Sequence, residues 1–598
     1  MSPERGGRSF AADPIVEAPA ELPPAWVAQL VSCVVDENVG LPDTAVVTYR
    51  DPHHELLTAT GITIGTPLKI SVATVQGQAR ERLFTGEVTA LELDSDTTGS
   101  FTVIRAYSKV HRLQRGRKVV AFRNMTTADI VRKIAAGAGL AVGKVEAAPV
   151  THQQLSQPNV SDWEFLQHLA GESGAHVRVD EKGLLQFVKP KPASSAPAPS
   201  TRATDDPMVL EYGRNLLALR AVLTGADGAS NVEVRGWNVT AKTPLVASRP
   251  AVRSTTVTPG LNPSVASTFG RAAKVTVTDT PYRTQAETRA VAGSVAASVS
   301  AGFGEFEAVV EGNPMLRAGK PVALGNVGAA FSGRYTATAV HHVLEPHGGY
   351  RTTVVVGASP DRSLTGLATG GNAPARGSRM PGLAIGVVTD IRETGGAQRG
   401  WVKLKFPWLD ATYVTDWVRT VQWGGQGGGG VFSPEVNDEV LVGFEQGLLD
   451  SPYVIGGLYN GVDKPSRHDV PLVDPTSGKV QRRSLVSRSG HRLELLDTPR
   501  GTSGVRLASG NKRLEVKLDE RLNQIELTVF GPGGRRPLSS VTMTPKGITV
   551  DAGMGTLDLN GRTVNINGKT SVNIDGKTGV TVDGGLLATI KARMIRLN

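Results

Sequence analysis

The strongest constraint on this chain lies at its C-terminal end, where the sequence repeats with a period of eight. Lined up, residues 564–595 read VNINGKTS, VNIDGKTG, VTVDGGLL and ATIKARMI. Val564, Val572 and Val580 share one column with Ala588, and Ile566, Ile574, Val582 and Ile590 share another. Gly568, Gly576 and Gly584 fill a third, while Leu557, Leu559 and Gly561 begin the series at an interval of seven. Two apolar residues at period 2 point to one face of a strand, and a glycine then turns the chain. So short a strand cannot bury its apolar face alone, so the units must stack. Three chains wound together give each unit neighbours and an apolar axis. At ~4.8 Å per layer, six units make a stiff needle roughly 30 Å long. The expectation is an intertwined trimeric β-helix, or β-prism. Its axis would hold Leu557, Leu559, Val564, Ile566, Val572, Ile574, Val580, Val582 and Ile590. Gly561, Gly568, Gly576 and Gly584 would form its repeat turns.

The rest of the chain must support such a needle. Hydrophobic residues are 40% of the 598, enough to build cores, and 69 glycines with only 5% aromatics favour turn-rich β structure. The single cysteine, Cys33, excludes disulfide staples and zinc sites built on several thiolates. The first 25 residues are broken by charges and prolines, so the expectation is synthesis in the cytoplasm without a signal peptide. No apolar run reaches the ~18 residues of a membrane span.

Composition breaks divide the chain. Residues 1–24 are expected to be a flexible tail and 25–189 an α+β part. The stretch 190–207, rich in Pro, Ala and Ser, reads as a linker or exposed loop. A second α+β part covers 208–368, and 369–382 is another linker. Five short β runs over 383–462 suit a closed barrel of the oligonucleotide/oligosaccharide-binding (OB) type. A β-rich connector, 463–546, leads to the needle, 547–598. Helices are expected after Thr126, which stands three before Asp129, after Ser161, three before Glu164, and over 284–301. The whole is mainly β, with an α+β N-terminal region.

Chemical motifs give little. Gly425–Gly430 satisfies GxGxxG but lies between strand runs with no helix to follow, so it reads as a barrel loop. Gly568–Lys569–Thr570 and Gly576–Lys577–Thr578 lack the upstream glycine of a P-loop. His341, His342 and His347 read as ordinary surface histidines, since an adjacent pair on a strand points to opposite faces. Cys33, in VSCVV, reads as core. No nucleophile elbow occurs, and no block large enough for a cell-wall hydrolase separates barrel from repeats. No catalytic residue, cofactor or metal is expected. From Lys479 to Arg536 there are 13 Lys/Arg against 6 Asp/Glu, part of a net charge of +10. They interleave with Leu and Val at strand spacing, which reads as the solvated face of a β stack. Contact with anionic lipid or lipopolysaccharide is a second use. Nucleic acid is not expected, because Phe530 is the only aromatic among those charges.

Several segments resemble a known family. GWVKLKFPW (400–408), DWVRTVQWGG (416–425), FSPEVNDEVLVGFEQG (432–447) and PYVIGGLYNG (452–461) are similar to the OB barrel of VgrG and baseplate-protein-V spikes. SRSGHRLELLDTP (487–499) resembles the segment joining that barrel to the needle. FRNMTTADIVRKIAAGAGL, SDWEFLQHLAGESG and VRGWN are similar to the hub of VgrG and of late control protein D. Asn437 departs from the glycine often found before Asp–Glu, and Leu448–Leu449 from the usual Asp–Pro. The resemblance implies a homotrimeric spike of a contractile injection system. Its implied partners are the inner tube protein, other baseplate proteins, a PAAR-type tip protein and cargo effectors, with transient contact at the target membrane. An extracellular injection particle is the first expectation, and a type VI secretion or phage tail spike the alternative. A cell-wall-degrading or glycan-binding spike is a third reading.

Overall fold

The computed structural model describes residues 10–74, 79–147, 149–226, 228–251, 253–261, 273–346, 348–357, 379–380, 382–499 and 501–596. The chain falls into two units, Met1–Leu458 and Tyr459–Asn598. Among the described residues no helix is long and apolar enough to cross a membrane.

Alternating apolar and polar residues in the first unit build a ten-stranded antiparallel sheet. Its order is Phe10–Glu17, Pro67–Thr74, Arg80–Asp96, Gly99–Tyr107, Thr44–Arg50, Leu30–Asn38, Ala339–Glu345, Gly349–Val356, Gly304–Glu311 and Leu216–Leu223. Cys33 pairs with Leu344, so the two α+β parts share one sheet. Burial pushes the Cys33 thiol up to about 12. Helix α1 (Thr127–Gly137) and helix α2 (Asp162–Ser173) both begin in reciprocal capping boxes, Thr126 with Asp129 and Ser161 with Glu164. They bury Ile130, Ile134, Phe165 and Leu166 in one core with Phe122 and Phe187. Helix α3 (Gln285–Ala301), capped by Thr284 and Glu287, packs Val291 and Val295 with Val232 and Val234.

Three expectations change here. Residues 10–17 are no tail but an edge strand, held against 67–74 with Val16 buried. Residues 1–9 lie outside the described residues. The 190–207 stretch packs instead of standing clear, since the small side chains of Ala193 and Ala196 fit beneath it. The carbonyls of Lys191 and Pro197 accept bonds from Thr336 and Arg334. His342 is fully buried, not on the surface, and its Nδ1 bonds to Thr352 and Tyr350. Burial and the Arg317 charge push it well below the usual histidine range. His341 on the opposite face pairs with Asp36. His347 and most of the 369–382 linker lie outside the described residues.

The barrel contains the five expected strands: β1 (Leu383–Asp390), β2 (Lys403–Lys405), β3 (Arg419–Thr420), β4 (Glu439–Phe444) and β5 (Pro452–Gly457). They run in the order β2-β1-β4-β5-β3. Val402 and Val418 exchange backbone bonds of 3.0 and 2.7 Å, which closes the ring. Val388, Leu404, Phe406, Val440 and Val442 are fully buried in its core. Asn437 takes φ 74°, the left-handed conformation a glycine would adopt there, and asparagine tolerates it. Leu449 is buried in the barrel core. The next residue, Asp450, accepts the Ser156 N–H at 2.9 Å, while the Ser156 hydroxyl meets Tyr413. Burial raises the Asp450 carboxyl.

In the second unit, seven strands follow one another as an antiparallel meander. They are β6 (Arg482–Val486), β7 (Arg492–Asp497), β8 (Ser503–Ala508), β9 (Leu514–Asp519), β10 (Gln524–Phe530), β11 (Pro537–Thr544) and β12 (Gly547–Asp551).

Candidate functional site

The meander sorts its residues by face. Period-2 alternation puts Leu493 and Leu495 on one side of β7, and Arg492, Glu494 and Leu496 on the other. Register carries the apolar side across every strand. Leu493 pairs with Leu507, Leu507 with Val516, Val516 with Leu527, Leu527 with Val541, and Val541 with Val550. Leu495, Val505, Leu518, Ile525, Met543 and Ile548 form a parallel row beside it.

The acid at the centre of the polar side is satisfied within the chain. Glu494, fully buried, accepts from Arg492 at 3.2 Å and Arg506 at 3.0 Å, and meets His468 Nε2 at 2.9 Å. Burial alone would raise its carboxyl, but the His468 bond and the two guanidinium charges hold it below the usual range. The strandless stretch before β6 covers this cluster, and the Arg482 guanidinium bonds to the Ser466 carbonyl.

The apolar side has no such cover. Leu495 is 48% exposed, Leu507 46% and Ile548 68%, whereas Leu496 on the other face is 1% exposed. A trough of about 860 Å³ runs along it, lined by Leu493, Leu507, Val516, Leu527, Val541 and Leu557 among others. An apolar surface that continues over seven strands is the mark of an interface. No cavity with converging acid, base or nucleophile is built from these side chains. Among the described residues no group of three or more His, Cys, Asp and Glu is placed to hold a metal.

Of the expected axis residues, the structure brings Leu557 into this trough. Leu559, Val564, Ile566, Val572, Ile574, Val580, Val582 and Ile590 all lie exposed, from 50% at Val572 to 77% at Ile590. The expected strands are not formed in the single chain: 552–596 contains none. In one chain the consecutive octads form no strand ladder with each other. The turns are nonetheless set. A Cβ on Gly568 would stand 2.2 Å from the Ser571 carbonyl oxygen, one on Gly576 2.3 Å from that of Gly579, and one on Gly584 2.7 Å from that of Leu587. Only glycine fits these three turns. At Gly561 the nearest atom would be 3.4 Å away.

Sequence reasoning placed the interface in the octads and missed the meander before them. The signal was present as apolar residues at alternate positions within each strand run, such as Leu493 and Leu495, Val505 and Leu507, Leu514, Val516 and Leu518, and Ile525, Leu527 and Val529. The arginines between them drew the reading toward a solvated stack.

Comparison with known proteins adds the following. Residues 384–459 match the family model of the type VI secretion system/phage-baseplate injector OB domain. Residues 63–345 match that of the Alg8 N-terminal domain. The type VI secretion system spike protein VgrG1c of Pseudomonas aeruginosa is 28% identical over 149 residues, 24% of this chain and 20% of that protein. VgrG5 of the same organism is 42% identical over 72 residues, 11% of this chain and 9% of that protein. The chain thus spans about a fifth or less of the length of the curated relatives it matches. A Francisella PdpA–VgrG complex superposes with a TM-score of 0.48 at 10% identity, covering 87% of this chain and 76% of that one. An E. coli component of the type VI secretion system does so at 0.44 and 13% identity, covering 72% and 96%. Over those shares the chain is similar to VgrG spike proteins, and its barrel matches the injector OB-domain model.

Proposed function

We propose that this chain, a homologue of VgrG spikes, is the central spike of a phage-like contractile injection system, working as a homotrimer that punctures a target envelope. The single observation that carries this reading is the apolar face of β6–β12, exposed in one chain and continuous with the octads. A threefold arrangement turns three such faces inward and gives each octad a neighbouring edge to bond, so that the residues after 551 become the strands of a β-helical needle. Fully burying a leucine or isoleucine is worth ~1.5–3 kcal/mol. A closed cyclic assembly also leaves no complementary patch on which to polymerise.

In this reading the first unit is the hub that caps the inner tube and meets baseplate proteins. The tip of the needle carries a PAAR-type protein, and cargo effectors ride with the assembly. The work is mechanical and needs no catalytic side chain. An extracellular injection particle is the setting proposed first, with type VI secretion or a phage tail as the alternative. Light scattering on the full chain tests the core of it. The reading expects three times the 62.9 kDa of one chain. A single-chain mass across the micromolar range would overturn it.

A further inference from the structure

Six turns join the seven strands of the meander, and alternate turns leave the same edge. On one edge are 487–491, 509–513 and 531–536. They carry Arg488, His491, Lys512, Arg513, Arg535 and Arg536, and neither Asp nor Glu. The turns on the other edge, 498–502, 520–523 and 545–546, carry less charge: among their described residues Arg521 and Lys546 stand against Glu520. One sheet therefore has a strongly cationic edge and a weakly charged one.

The cationic turns are also bound into one body. The Gly510 N–H donates to His491 Nδ1 at 3.2 Å. A Cβ on Gly510 would lie 1.8 Å from the Ser489 carbonyl oxygen, and one on Gly534 2.7 Å from that of Lys512. Glycine thus lets the three turns touch backbone to backbone. Turns two strands apart repeat at roughly 10 Å, comparable to the Debye length in physiological salt, so their fields add.

Four of these charges are not absorbed inside the chain. Arg492 and Arg506 pair with Glu494, and Arg483 with Asp497. Among the described residues Lys512, Arg513, Arg535 and Arg536 pair with no carboxylate, and all four are exposed. Like charges held together without counter-charge repel, which an anionic partner relieves. The partner need supply only charge, since the three turns contain no Phe, Tyr or Trp on which a base could stack. Phosphate headgroups at a bilayer surface meet that description.

We propose that this edge docks onto anionic phospholipid headgroups of the envelope to be crossed. The choice of a lipid surface rests on the spike reading above; the segregation of charge does not. Three copies in one assembly would act together on a single surface.

Co-sedimentation of the full chain with vesicles of equal parts phosphatidylglycerol and phosphatidylcholine tests it. Binding is expected to these vesicles and not to phosphatidylcholine alone. The variant carrying Lys512→Gln, Arg513→Gln, Arg535→Gln and Arg536→Gln should bind at least about ten-fold more weakly while keeping the mass of the parent. Arg521→Gln with Lys546→Gln, on the opposite edge, should stay within about two-fold of the parent. Equal binding by the four-site variant, no binding by the parent, or tighter binding by the parent to duplex DNA at the same salt would each overturn the proposal. A monomeric parent whose vesicle binding still depends on the four cations would overturn the spike reading and leave this edge standing.

Discussion

The barrel and the meander are written in the same alternating pattern, yet only the barrel encloses its apolar face. In β1–β5 the ring closes through Val402 and Val418, and Val388, Phe406 and Val442 are fully buried. In β6–β12 the strands follow one another with no return, and Leu495 and Leu507 remain nearly half exposed. Closure removes edges and creates an inside; an open meander has two edges and one apolar face left over. The barrel is therefore a folding unit complete in one chain. The meander leaves its apolar face uncovered in one chain, and in the function proposed above other copies cover it.

The comparison can be broken by placing the same charge in each region. Leu507→Asp on the open face should carry three carboxylates into the assembled core and abolish the trimer, cutting the mass in solution threefold while the barrel stays folded. Burying unpaired charge is prohibitive, so the effect should be all or none. Val442→Asp acts within one chain. It should unfold the barrel, at a cost of several kcal/mol read by chemical denaturation with barrel tryptophan fluorescence. If both variants gave the same loss, the two regions would not differ in the way argued here.

Smaller changes sharpen the contrast. Gly576→Ala drives a methyl group against the Gly579 carbonyl. It should destabilise the assembled needle by about 1–3 kcal/mol per chain without touching barrel stability, as a lower melting temperature of the trimer alone. Gly561→Ala, where the nearest atom lies 3.4 Å away, should do much less. The hub has its own pH signature. His342 is held neutral by burial and by Arg317, so its folded-state pKa is depressed. The unfolded chain takes up that proton below about pH 6.5 and the folded chain does not, so hub stability should fall as pH drops below that point. The limiting slope is ~1.4 kcal/mol per pH unit. His342→Gln should flatten that slope, as measured by hub melting between neutral and mildly acid pH.

Much of the molecule was legible because its signals are local. Thr126 with Asp129 and Ser161 with Glu164 announce helix starts through side chains three residues apart. The five barrel runs announce strands through alternation, and Asn437 stands where a left-handed residue is needed. What escaped depends on distant partners. Phe10–Glu17 looked like a tail because its mate, Pro67–Thr74, lies some fifty residues on. The 190–207 stretch looked unpackable because nothing in it tells that Ala196 finds a small-residue pocket with Val209 and Ala323. His342 looked superficial because Thr352 and Tyr350 come from the next strand. The octads showed their turn glycines plainly, whereas the apolar face upstream was masked by the arginines of its other side.

The account stands on the claim that other copies of the chain cover the apolar face of β6–β12. Cys33 is fully buried, so a thiol placed at Leu507→Cys can be followed selectively with a maleimide under native conditions. The account predicts that this thiol is protected in the full chain, while one at Thr549→Cys on the opposite face of the same sheet labels freely. Labelling at 507 as fast as at 549 would contradict it.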